Sequence, residues 1–161
     1  MLALVWTAPP TIAAEMGRDM FDTRLSSSPL TDGTRANITG EGHASAQLDG
    51  NKLTVSGDFH GLASNATTAE LYDGPGIGIP GAKAFDLTVS PAATGSLSGS
   101  VTLTAKQLKA LRAGHFYVQI NSQKAPDGNL VGWLLPPHPF AGEDVPVAGP
   151  GFLPQFVVPR K

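Results

Sequence analysis

The sequence predicts an all-β domain, an antiparallel β-sandwich or Greek-key barrel with one short helix and an extended C-terminal arm. Three observations predict it. Apolar and polar residues alternate in run after run between Phe21 and Leu135, the mark of strands with one buried face. Nineteen glycines and 14 prolines punctuate these runs, as the turns of an all-β fold require. A single stretch combines helical spacing with caps at both ends.

The chain of 161 residues suits one domain with tails. Residues 1–14 have the look of the rear of an export signal. An apolar Leu2-Ala-Leu-Val-Trp6 is followed by Ala13-Ala14 ahead of Glu15. The expectation is a periplasmic or secreted protein, with an N-terminal arm on an intact chain as the alternative. The domain proper is expected over 15–135 and the arm over 136–161.

From Ala36 to Leu48 the even positions are small or apolar and the odd ones polar, which predicts a strand. Asp49-Gly50-Asn51 is a turn signal, and beyond it Leu53, Val55, Gly57 and Phe59 form the apolar set. A two-residue Gly50-Asn51 loop pairs Leu48 with Leu53, Ala46 with Val55 and Gly42 with Phe59. Both apolar faces then coincide, which a one-residue slip would destroy. Further strands are predicted at Thr67–Tyr72, Phe85–Val89, Ser96–Leu103 and His115–Ile120. The last, Asn129–Leu135, follows a Pro126-Asp127-Gly128 turn. The helix lies between: Thr104 and Gln107 form a capping box, Leu108 and Leu111 an apolar stripe, and Gly114 the stop.

After Leu135 the composition changes. Pro136, Pro137, Pro139, Pro146, Pro150, Pro154 and Pro159 are interleaved with Phe140, Val145, Val147, Phe152, Leu153 and Phe156. Proline at this density favours an extended chain, and the aromatics suit one lying on a surface, its own domain's or a partner's.

Charge and composition exclude several functions. Eleven Lys and Arg against 13 Asp and Glu leave a net charge of −2, without the basic footprint a nucleic-acid binder needs. No apolar run reaches the ~18 residues of a spanning helix. With no cysteine there is no disulfide, thiolate metal site or cysteine nucleophile. Neither Gly-x-Ser-x-Gly nor His-Glu-x-x-His occurs, so no catalytic activity is expected.

Two groups of residues stand out. In the hairpin register Glu41 faces His60 and His43 faces Asp58, all on the outer face. Two imidazoles and two carboxylates are a donor set for zinc or copper; the bland reading is two surface ion pairs. The glycine-rich Asp73–Gly81 lacks the Lys-Ser/Thr of a phosphate loop and contains Pro80. It reads as a long strand-to-strand loop whose Ile77 and Ile79 dock on a partner. Trp133, on the last strand beside the arm, is a core residue or an anchor.

Five segments occur in order: Phe59-His-Gly61-Leu62, Asp73-Gly74-Pro75-Gly76, Leu103-Thr104 with Gln107 and Leu111, Gly114-His-Phe-Tyr117-Val118, and Pro126-Asp-Gly-Asn-Leu-Val-Gly132-Trp-Leu134. Together they resemble the CHRD domain, the module named after chordin and common in exported bacterial proteins. The resemblance covers about Phe21–Leu135. It implies an all-β fold, extracytoplasmic placement, and binding or interaction rather than catalysis. The chain departs from the family's His-x-His, where it reads Glu70-Leu71-Tyr72-Asp73. It departs also at a later His, taken by Asn121, and at an Arg, taken by Val131.

The leading expectation is therefore a non-catalytic interaction module or accessory subunit without a cofactor. It would dock on a larger protein assembly, a membrane-associated redox or photosynthetic complex being one host. Its contacts would be Ile77, Ile79, Trp133 and the arm residues Phe140, Phe152, Leu153 and Phe156. The alternatives are a metal- or small-ligand-binding domain using Glu41, His43, Asp58 and His60, and a metal-dependent oxidoreductase.

Overall fold

A computed structural model describes residues 20–136; the leader and the arm residues Phe140, Phe152, Leu153 and Phe156 lie outside them. Eight strands and one helix follow in order: β1 (Met20–Ser27), β2 (Glu41–Asp49), β3 (Lys52–His60), β4 (Ala66–Asp73), β5 (Ala82–Val89), β6 (Gly95–Thr102), α1 (Ala105–Arg112), β7 (Phe116–Ser122) and β8 (Ala125–Trp133). All strand pairs are antiparallel, and the order β1-β2-β3-β6-β5-β4-β7-β8 closes into a barrel. β3 neighbours β6 and β4 neighbours β7, so the connections skip strands in Greek-key fashion.

Two seams of this barrel are short. β5 meets β6 through Thr88↔Ser98 and Val89↔Leu97. β1 meets β8 through Ser26↔Val131 and Ser27↔Leu130, with an isolated bridge Asp22↔Leu135 farther along. The molecule is thus close to two facing sheets joined at two corners. That geometry explains why a sandwich and a barrel suit the strand pattern equally.

The β2–β3 register is the one the hairpin arithmetic requires: Leu48↔Leu53, Ala46↔Val55, Gly42↔Phe59 and Glu41↔His60. Inward residues of all strands build one core, with Phe21, Leu25, Leu53, Leu71, Phe116, Ile120 and Leu130 fully buried. Each such side chain contributes ~1.5–3 kcal/mol of burial. Helix α1 carries the predicted capping box, with Gln107 N–H donating to Thr104 Oγ1 and Thr104 N–H to Gln107 Oε1. It delivers Leu111 to the core.

Three expectations are corrected. The strand predicted from Ala36 begins only at Glu41. Ahead of it Asn37 and Ile38 donate to the Thr34 carbonyl in a turn, and Gly40 turns the chain at φ 102°. Ile38 is nevertheless buried, which is why the alternation runs on through a loop. Pro126-Asp127-Gly128 is not the hairpin turn. The chain reverses at Gln123-Lys124, since Ser122 pairs with Ala125, and the register shifts before Ile120↔Leu130. The proline, which has no N–H to give a ladder, and Gly128 at φ 133° form a bulge within β8. Finally, β1 is a full strand that the alternation did not single out.

Because every pair is antiparallel, the β4–β5 loop, the β6–α1–β7 crossover, the start of β1 and the end of β8 share one end of the barrel.

Candidate functional site

That end is built by the Gly74–Gly81 loop. Its base is pinched: a Cβ on Gly81 would lie 2.0 Å from the Asp73 carbonyl oxygen, and one on Gly74 2.4 Å from that of Ile79. At its tip Ile79 N–H donates to Gly76 O at 3.1 Å, with Gly78 at φ 79°, the conformation a type II turn asks of its third residue. The turn holds Ile77 and Ile79 outward, 38% and 43% exposed. Ile77 and Leu135 also close over Gly114, where a Cβ would meet them at 3.1 and 3.0 Å. Leu135 is in turn tied to β1 by reciprocal backbone hydrogen bonds with Asp22. Pro136, the last described residue, therefore leaves the barrel beside the isoleucine loop.

Next to this end, the outer face of β4, β7 and β8 carries a row of aromatics. Tyr72 pairs with Tyr117 and Tyr117 with Trp133 across neighbouring strands. The tyrosine rings stack at 4.9 Å and 10°, and Trp133 lies 4.5 Å from Tyr117 at 42°. Tyr117 is buried although it points away from the core, because its neighbours flank it on both sides. The Gly74–Gly81 loop covers the row's edge, with Gly81 N–H donating to Tyr117 Oη at 3.2 Å.

Beside the aromatics runs a polar network. Tyr72 Oη donates to Glu70 Oε2 at 2.6 Å, Asn121 Nδ2 to the same oxygen at 3.4 Å and to Thr68 Oγ1 at 2.8 Å. Lys83 Nζ bridges Glu70 at 3.5 Å and Asp86 at 2.9 Å. Burial, then the hydrogen bond to Glu70 and its charge, push the Tyr72 phenol well above its ordinary value. The hydrogen bond to Asp86 and its charge raise the Lys83 ammonium above its ordinary value, against desolvation. Glu70 and Tyr72, from the stretch that stands in place of the family's His-x-His, and Asn121, in place of its later His, are thus brought into contact.

The residues singled out on the β2–β3 hairpin do face outward in the predicted pairs. Their side chains engage differently. Glu41 takes Arg24 and sits 3.4 Å from His60, whereas His43 lies 3.8 Å from Asp22 rather than against Asp58. Arg24 and His60 together hold the Glu41 carboxyl below its usual value, Arg24 foremost. Among the described residues no three His, Asp or Glu side chains converge as metal ligands do. An open groove of about 610 Å³ runs alongside, lined by Arg24, Ser26, Glu41, His60 and the glycines 40 and 61. Trp133 lies outside the core, partly buried at the end of the aromatic row.

Residues 21–134, most of the described chain, match the CHRD domain family. The chain belongs to the CHRD domain family. CHRD domains occur in extracellular and secreted proteins and serve protein interaction. No curated protein and no solved structure matches this CHRD domain. None of its described helices is long and apolar enough to cross a membrane.

Proposed function

We propose that this CHRD domain is a non-catalytic extracytoplasmic interaction module, an accessory subunit that docks on a larger protein assembly by the loop end of its barrel. One observation carries this reading. Exposed Ile77 and Ile79 lie on the loop beside Leu135 and Pro136, where the sequence enters its proline-rich arm. Two exposed isoleucines held on one tight turn are what a partner pocket needs for an energetic centre. The test is a pull-down from the native source comparing the whole chain with one ended after Pro136. A defined set of proteins retained by the first and lost by the second supports docking; equal capture by both removes the arm from the interface.

A second reading rests on the groove beside Glu41 and His60, which offers a guanidinium, an imidazole and serine hydroxyls to a small polar ligand. Calorimetric titration with zinc, copper and small polar metabolites checks it. Heat that persists in the His43→Ala/His60→Ala double variant dismisses it.

A further inference from the structure

The whole chain has two tyrosines and two tryptophans and no cysteine. Both tyrosines and one tryptophan stand in a single row of ring contacts, the tyrosines stacked and Trp133 tilted against Tyr117. These are the side chains most easily oxidised by one electron in a protein without thiols, and ring contacts of this kind pass electrons readily. We propose that the row is a one-electron relay, which carries an oxidising equivalent from Trp133 through Tyr117 to Tyr72 and leaves the phenolic proton on Glu70.

The electrons and the proton balance as follows. A high-potential one-electron oxidant, such as an oxidised metal centre in a redox partner, takes an electron from the partly exposed indole of Trp133. Tyr117 refills the indole, and Tyr72 refills Tyr117. At Tyr72 the O–H bond breaks, the electron moves to Tyr117 and the proton to Glu70 Oε2. The products are a neutral Tyr72 radical, a protonated Glu70 and the reduced oxidant.

The hydrogen bonds explain why the relay ends there. An oxidised phenol is a strong acid and settles only where a base stands ready for its proton. Tyr72 Oη donates to a carboxylate at 2.6 Å, a short charge-assisted bond. Tyr117 Oη instead accepts an N–H from Gly81, and among the described residues no carboxylate touches it. Lys83 on the other oxygen, Oε1, and Asn121 on Oε2 hold Glu70 in place. Tyr117 is only 4% exposed, which keeps the middle of the row from solvent reductants. The relay uses the Gly81 N–H of the loop but neither Ile77, Ile79 nor the arm, so it stands apart from the docking reading.

The purified full-length protein is flashed with a photogenerated ruthenium(III) polypyridyl, using a cobalt(III) quencher, and followed by EPR and transient absorption. The wild type is expected to give a neutral tyrosyl radical whose formation slows in D₂O. Tyr72→Phe should abolish most of that signal and leave a tryptophan radical. Glu70→Gln, which still accepts the hydrogen bond but not the proton, should lose both the yield and the isotope effect. Trp133→Phe should slow tyrosyl formation. If Tyr72→Phe does not fold by thermal melting, Tyr117→Phe replaces it, and slower formation to the full final signal is expected. An undiminished tyrosyl signal in Tyr72→Phe, or unchanged kinetics in Trp133→Phe or Tyr117→Phe, overturns the relay.

Discussion

Gly42 faces Phe59 across the β2–β3 hairpin, and nothing larger fits. A Cβ there would lie 2.3 Å from the Asp58 carbonyl oxygen and 3.1 Å from Phe59 Cβ. The glycine gives the ring its place in the core, so Gly42→Ala must push the strands apart. A loss of about 1–3 kcal/mol is expected, the usual cost of overpacking, measured by urea unfolding with an unchanged slope. Asn129 works through hydrogen bonds instead. Fully buried, it donates to the Thr39 carbonyl at 2.7 Å and accepts from Ser122 Oγ at 3.0 Å, tying the β1–β2 connection to β8. Asn129→Leu would strand the buried Ser122 hydroxyl at ~1–3 kcal/mol, while the carbonyl of exposed Thr39 can turn to water; a variant of unchanged stability would show that water replaces the amide. At Tyr72 the consequence is one of pH. The folded state holds its proton above the ordinary value of 10.0, while the unfolded chain gives it up there. Stability is therefore complete below pH 10.0 and falls progressively above it. Ultraviolet titration, with Tyr72→Phe subtracted, should show the Tyr72 phenol resisting ionisation until the protein unfolds, and a Tyr72 phenol that titrates freely at pH 10.0 would contradict the burial.

At the scale of elements, what was legible depended on whether burial leaves an apolar trace in sequence. The β2–β3 hairpin was legible to the residue because alternation on both arms and a Gly-containing turn agree. Helix α1 was legible from its caps, and Thr104→Ala should cost ~1 kcal/mol, read as a lower melting temperature with the barrel's circular dichroism retained. Strand β1 was not, for a physical reason. Between buried Phe21 and Leu25 the inward position is Thr23, and its Oγ1 would lie 2.7 Å from a Cβ on Gly132. The two residues fit one another, but neither is apolar enough to mark a strand. Missing β1 meant missing Arg24 and Asp22, the residues that draw Glu41 and His43 away from a four-membered cluster. The Pro126-Asp127-Gly128 signal was genuine but local, and the long β7–β8 ladder turned it into a bulge.

For the molecule as a whole, function depends on which distant segments the strand order brings together. Ile77 and Ile79 could be named from sequence because they lie on one loop. The contact of Tyr72, Tyr117 and Trp133 could not, since it requires β4, β7 and β8 to be neighbours, and no local pattern encodes that order. The same closure separates the roles of the two isoleucines. Ile77 packs over Gly114 beside Leu135, whereas Ile79 is the more exposed of the two, at 43%. Ile77→Ser should therefore lower stability as well as partner capture. Ile79→Ser should leave stability within ~0.5 kcal/mol, as for a surface position, and still weaken capture, because its apolar surface is free for a partner. Melting temperature and pull-down on the two variants separate these effects. If Ile79→Ser captures as well as the wild type while folding normally, the loop tip is not at the interface, and docking rests on the arm alone.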